Sequence, residues 1–337
     1  GRSIVSMPSP SMAEPVPTLL GVPKARWRVA LTVLLAAFFL LVPVYAWQAG
    51  DSYVLILIGR ILVFALAGVG LNLAMGYGGM VSFGHAMYMG VGAYVVAIAS
   101  HHGLDSGLAH LLLVFVLTVL IAVPVGLVAL RTQGIAFIMI TLAFAQMLYF
   151  VTVGLKQYGG DEGLSIARLS HFGALTGNKT ALYLAMLGAL GVALLLMHRV
   201  VAARFGLVLR ATMINERRVR AVGTQPLGYR LMAYVLSALL CALAGYFLAN
   251  LTSFASPAYM AWTVSGELIV MVLLGGMGTV VGPVVGALVF LLLEEGLKGL
   301  TDHWLVILGP IIVLIVLFLK NGLWGILSDA PAARGGH

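Results

Sequence analysis

Cysteine and charge are both scarce in this chain. The single Cys241 excludes an intrachain disulfide and a cysteine-based metal site. Asp, Glu, Lys and Arg together make up only 9% of the residues, with 11 acids against 19 basic side chains. No G-x-x-x-x-G-K-[ST] run occurs, so the chain brings no such nucleotide-binding loop, and any ATP is hydrolysed by a partner. H-E-x-x-H and G-x-S-x-G are missing too, and the eight histidines form no paired metal spacing. A membrane-embedded enzyme needs a nucleophile or metal constellation, and none stands out.

What is abundant is apolar surface. Hydrophobic residues reach 61% and mean hydropathy is +1.08, more than one soluble globule keeps out of water. The apolar runs approach the roughly twenty residues that cross about 30 Å of hydrocarbon at 1.5 Å per residue. They are continuous rather than alternating with period two, so helices are expected and not a barrel. Ten spans are read, at about 29–47, 53–75, 84–100, 108–130, 134–155, 180–199, 230–250, 264–280, 283–300 and 304–320.

Lys24, Arg26 and Arg28 precede the first span and place the N-terminus in the cytoplasm; this span reads as a retained helix rather than a cleaved signal. Alternation then puts Arg131, the loop from Arg199 to Arg230 and Lys320 inside, and Asp51, Asp105, Asp161, Glu162 and Asp302 outside. Arg199 to Arg230 holds seven arginines and one acid, Glu216. The net charge of +8 is therefore a topological signal; no basic groove interleaved with aromatics suggests nucleic acid.

Two places depart from plain helices. Gly76-Tyr77-Gly78-Gly79-Met80-Val81-Ser82-Phe83-Gly84-His85 joins two spans almost without a polar loop, and Gly275-Gly276-Met277-Gly278 with Gly282-Pro283 does so later. Each reads as an interrupted helix beside a permeation path, because irregular backbone at membrane depth needs protein or a water-filled cavity around it. The alternative is an ordinary tight turn at a helix crossing. On the first reading, Gly78, Gly79, Ser82, His85, Gly275, Gly276 and Gly278 border the path. His85 is expected to hydrogen-bond a free carbonyl of the break. Arg60, inside a span, either pairs with a carboxylate or lines the path or, the favoured reading, snorkels to the outer interface. Glu267, Glu294 and Glu295 are expected at the interface, and His101-His102 at a solvated helix end.

In the basic loop, Ala211 to Val222 has no Gly or Pro and is expected to form one short helix stopped by Gly223. Such a helix between two membrane helices suits docking as a lever into a partner's groove; a topogenic loop on anionic lipid would need only the arginines.

Several ordered motifs now resemble one family. Gly78-Gly79-Met80-Val81-Ser82-Phe83-Gly84-His85-Ala86 through Gly90-Val91-Gly92-Ala93-Tyr94, and Leu130-Arg131-Thr132-Gln133-Gly134 with Thr141-Leu142-Ala143-Phe144-Ala145, are similar to the LivM-type permease of branched-chain amino acid ABC importers. Gly206 through Gly223 resembles that family's ATPase-coupling loop, and Leu274-Gly275-Gly276-Met277-Gly278-Thr279 with Gly282-Pro283 its late glycine motif. The likeness spans about residues 55–325. Ile214 departs from it, since relatives often carry an acid before Asn-Glu.

The resemblance implies a bacterial inner-membrane permease subunit for leucine, isoleucine or valine. Its implied partners are a LivH-type permease, two cytoplasmic ATPases of LivG and LivF type that bind ATP and Mg, and a periplasmic amino-acid-binding protein. The chain itself carries no cofactor. Coupling falls to Arg210, Asn215, Glu216, Arg217, Arg218, Arg220 and Gly223. The expected architecture is all-α: a flexible cytoplasmic tail at 1–28, a transmembrane permease domain at 29–325 containing the coupling loop at 200–230, and a cytoplasmic C-terminal tail at 326–337. An ion-coupled secondary transporter is the alternative, for which a mid-membrane acid would be the sign.

Overall fold

The computed structural model describes residues 18–19, 22–49, 52–166, 170, 179–301, 303–318 and 322–325. The tail prolines at 8, 10, 15 and 17, the acids Asp51 and Asp302, Lys320 and the C-terminal tail lie outside them. Helices make up most of the described chain: α1 (Lys24–Ala49), α2 (Ser52–Asn72), α3 (His85–His101), α4 (Gly107–Ala129), α5 (Ile135–Gly154), α6 (Lys179–Ala202), α7 (Arg204–Ile214), α8 (Glu216–Ala221), α9 (Pro226–Thr252), α10 (Trp262–Gly275), α11 (Gly282–Lys298), α12 (Trp304–Phe318) and α13 (Gly322–Gly325). Two-residue strands pair as β1 (Thr18–Leu19) with β2 (Val22–Pro23) and β3 (Leu164–Ser165) with β4 (Phe254–Ala255).

The molecule is an all-α polytopic bundle. Six helices are long and apolar enough to cross a membrane, namely α1, α2 with its π-helical end, α4, α5, α6 and α9. The other four expected spans coincide with α3, α10, α11 and α12, which have 17, 14, 17 and 15 residues. Alone these fall short of about 30 Å of hydrocarbon. The span expected over 264–280 ends at Gly275, where the backbone turns.

Burial separates a centre from a rim. The apolar windows of α2 and α9 are 78% and 61% buried, against 22–28% for α1, α4, α5 and α6. α3 and α9 meet backbone to backbone: a Cβ on Gly92 would strike the Ala242 carbonyl, and one on Gly245 the Met89 carbonyl. Pro43 inside α1 cannot hydrogen-bond the carbonyl of Phe39, four residues earlier, and the buried Tyr183 hydroxyl of α6 donates to that carbonyl at 2.9 Å. A proline defect thus becomes a joint between two rim helices.

The turns collect at two ends. At one lie the α2–α3 and α4–α5 turns, α7, α8 and the α10–α11 turn, as their contacts below establish. At the other, His102 Nε2 meets the Tyr158 hydroxyl at 2.9 Å, Leu164 pairs with Ala255, and His110 Nδ1 meets Ser170 Oγ at 2.8 Å. His101 and His102 are therefore not simply solvated; both rings pack edge-on against Tyr158.

Candidate functional site

The two glycine breaks come together through one side chain. The last turn of α2 widens into a π-helix over Leu73–Tyr77, a form associated with functional sites, which ends as the amides of Gly78 and Gly79 bond the carbonyls of Leu73 and Met75. Asn72, fully buried, donates from Nδ2 to the Thr279 carbonyl at 2.7 Å and accepts at Oδ1 from the Gly278 amide at 3.0 Å. The second break thereby has polar groups satisfied out of water by the first. The α10–α11 turn needs glycine: Gly276 has φ +118° and Gly278 φ +72°. α13 rests on this turn, since a Cβ on Gly322 would strike the backbone of Gly276. A crevice of about 440 Å³ opens beside the joined breaks, lined by Tyr77, Gly278 and Thr279 with Arg28, Thr32 and His198.

The first break also touches the basic loop. Gly79 has φ +65°, and a Cβ there would sit 2.6 Å from Met213 Cγ on α7. The loop is two helices rather than the one expected over Ala211–Val222. Asn215 leaves the helical region (φ −157°, ψ 98°), ends α7, and caps α8 by accepting the Arg218 amide at 3.1 Å. Asparagine competes with a helix in this way because its side chain replaces the backbone acceptor. Gly223, at φ +87°, stops α8 as expected: its amide bonds the Arg220 carbonyl while the Thr224 amide bonds that of Val219, a Schellman closure.

Glu216 and Arg210 are used inside the protein. Glu216 accepts from Gln133 Nε2 of the α4–α5 turn at 2.6 Å, pairs with Arg220, and lies 3.4 Å from Arg230 of α9. Arg210 bonds the carbonyls of Val201 and Gly206 at 3.0 and 3.3 Å, tying α7 to the end of α6. Arg217, Arg218 and Arg220 remain exposed. Ile214 and Val222, one on each side of α8, are 80% and 84% exposed, and the sequence did not single them out for coupling. The outer surface is basic, with one exposed apolar side chain at each end of α8.

Five of the seven residues assigned to the path, Gly78, Gly79, Gly275, Gly276 and Gly278, belong to the joined breaks. Ser82 and His85 turn elsewhere. Ser82 Oγ accepts from the Gly84 amide, and the fully buried His85 ring packs edge-on against Tyr88 and Tyr234. The carbonyl partner expected for His85 is absent, as neither ring nitrogen makes a hydrogen bond among the described residues. Once α3 packs on α9, the imidazole faces aromatic rings instead of the break. Arg60 does not snorkel free: Nη2 lies 3.4 Å from Glu294 Oε1, and Phe64 lies beneath the guanidinium. Glu294 also pairs with Lys298 at 2.5 Å and is 5% exposed, so it is a buried carboxylate that joins α11 to α2. Among the described residues no group of three metal-ligating side chains converges.

The family of branched-chain amino acid transport system permease components matches residues 53–317. The chain belongs to this family. It is accordingly a permease component of a transport system and a multi-pass membrane protein. It is 24% identical over 299 residues to the "High-affinity branched-chain amino acid transport system permease protein LivM" of Salmonella typhimurium, covering 78% of this chain and 68% of that protein. Against the Escherichia coli protein of the same name it is 24% identical over 288 residues, with the same coverage. No solved structure matches. The joined breaks, α7 and α8 all lie within the matched residues.

Proposed function

We propose that the chain is the LivM-type subunit of an ATP-driven importer of leucine, isoleucine and valine, crossing a bacterial inner membrane ten times with both termini in the cytoplasm. It pairs with a LivH-type permease. Two cytoplasmic ATPases supply ATP and Mg chemistry, and a periplasmic binding protein delivers the amino acid. The tails at 1–28 and 326–337 flank the permease domain, and residues 200–230 couple it to the ATPases. The observation that carries this reading is the pair α7–α8, which exposes Ile214, Val222 and three arginines and meets Gly79 through Met213. Burying Ile214 and Val222 in a partner's groove contributes about 1.5–3 kcal/mol each. A push on α7 then reaches the first break directly and the second through Asn72, beside the crevice that we assign to the path.

An ion-coupled transporter would use a carboxylate free to exchange an ion within the membrane, whereas Glu294 is held by Arg60 and Lys298. The test is uptake by the purified, reconstituted complex with its binding protein. Accumulation of labelled leucine that needs ATP on the ATPase side and persists without ion gradients supports the proposal. Uptake driven by an ion gradient without ATP overturns it.

A further inference from the structure

The crevice beside the joined breaks, at the end where α7 and α8 lie, offers charge of one sign. Arg28 of α1 and His198 of α6 line it from exposed positions, and neither forms an ion pair among the described residues. Among the described residues no Asp or Glu lines it. Val280 and Val281 line it too; their amides make no hydrogen bond among the described residues, and they lead directly into the 17-residue α11. Free amides before a long helix, backed by its dipole, present partial positive charge to whatever sits there.

A second observation points into the same space. The Tyr77 side chain is 4% exposed and lines the crevice, yet its hydroxyl makes no hydrogen bond among the described residues and stays open to the cavity. The two lining threonines differ from it. Thr32 donates to the Arg28 carbonyl and Thr279 to the Gly276 carbonyl, each at 2.8 Å, which leaves them only lone pairs. Of these three hydroxyls, Tyr77 alone has a proton to give.

We propose that this crevice binds a small organic anion, a carboxylate carrying a short branched apolar tail. The carboxylate oxygens accept from the Tyr77 hydroxyl, the Arg28 guanidinium and the free amides before α11, while the tail lies against Val33, Val281 and Trp324. Arginine and a helix start are both suited to a carboxylate. An amine without a carboxylate is disfavoured, because the lining offers no anion to meet it. A volume of about 440 Å³ lies at the low end of the roughly 300–1,000 Å³ of small-molecule sites, so the ligand is of amino-acid size. The valine and tryptophan walls favour an organic anion over inorganic phosphate, which has no apolar surface to bury. Two sources share this chemistry: the transported amino acid, and the oxo acid with the same carbon skeleton. The first rests on the transport reading, in which the amino acid leaves at this end; the site itself does not. An occupant ties α1 and α6 to the second break, and so acts as a brake on the path from the release side.

Binding is read on the purified complex, without its binding protein and without ATP, from the fluorescence of Trp324 in the crevice, with Trp324→Phe as the blank. The probes are leucine, its oxo acid, leucinol, which keeps the ammonium group and the tail but lacks the carboxylate, and inorganic phosphate. A saturable change is expected with at least one of the two carboxylates and none with leucinol. Response to leucine alone identifies the amino acid as the source, response to the oxo acid alone identifies the deaminated compound, and response to both shows that carboxylate and tail suffice. Tyr77→Phe removes a hydroxyl that bonds nothing, and Arg28→Gln a cation that pairs with nothing, so both variants should elute with their partners as before. Each should weaken binding roughly tenfold, the loss of one charge-assisted hydrogen bond. No response to either carboxylate, a response to leucinol equal to that of leucine, tighter binding of phosphate than of both carboxylates, or native affinity in both variants would overturn the proposal. The readout needs neither ATP nor uptake, so loss of ATP-driven uptake with binding intact would count against the transport reading and leave this site standing.

Discussion

At the scale of single residues, this permease places polar side chains where two backbone irregularities need them. Asn72 is the clearest case, because both ends of its amide are spent on the α10–α11 turn, which lies 206–207 residues further along the chain. An apolar residue of similar size keeps the volume and removes both bonds. Asn72→Leu leaves the Gly278 amide and the Thr279 carbonyl unpaired, at roughly 1–3 kcal/mol for each group. The expected outcome is a lower thermal unfolding temperature of the purified complex and reduced uptake per assembled complex. Unchanged values of both would remove Asn72 as the joint. Arg60 and Glu294 follow the same rule: a carboxylate almost closed to solvent is tolerated because two cations hold it. Replacing Glu294 alone would strand both cations, so its pairing is structural before it is anything else.

At the scale of elements, α7 and α8 act as a unit through three attachments. Arg210 fixes α7 to the end of α6, Met213 seats it on Gly79, and Glu216 ties α8 to the α4–α5 turn and to α9. Asn215 is the bend between them, ending α7 after Ile214 and starting α8 at Glu216. Glu216→Lys removes the acceptor for Gln133, places like charge next to Arg220 and Arg230, and puts a cation in the first turn of α8. The cost to α8 is on the order of 1 kcal/mol, since the carboxylate is near the surface and the helix is short. The expected phenotype is uncoupled or dissociated ATPases with normal membrane insertion, read by co-purification and by ATP hydrolysis stimulated by substrate. Full ATP-driven uptake in this variant would show that Glu216 is not the anchor.

At the scale of the whole molecule, the apolar runs were legible because a membrane helix must satisfy its own backbone, which makes each run continuous. The arginines of the α6–α9 connection were legible for the same reason, being the charges the bilayer excludes. What was not legible is which helices are central: α2 and α4 are both strongly apolar, so no periodic face distinguishes the buried one from the rim. Nor could local pattern reveal that Asn72 reaches Gly278 or that Asn215 breaks a helix lacking Gly and Pro, since both depend on where an amide side chain finds its partner. The structure does bring the basic connection, both glycine breaks and the α4–α5 turn to one end, and the Leu164–Ala255 pairing to the other. A sidedness follows that can be measured. Cys241 is fully buried, with Sγ 3.5 Å from the Ala67 carbonyl, so Cys241→Ser keeps the contact and gives a background without thiols. In that background, Thr224→Cys and Asp161→Cys report opposite ends, the latter from an exposed position in the α5–α6 connection. An impermeant maleimide added to intact cells with a permeabilised outer membrane should modify position 161 and leave position 224 untouched. Inverted vesicles should show the reverse under the proposed orientation, in which the arginines hold the α7–α8 end in the cytoplasm. Modification of both positions from outside would break the assignment of ends and, with it, the docking of ATPases on α7 and α8.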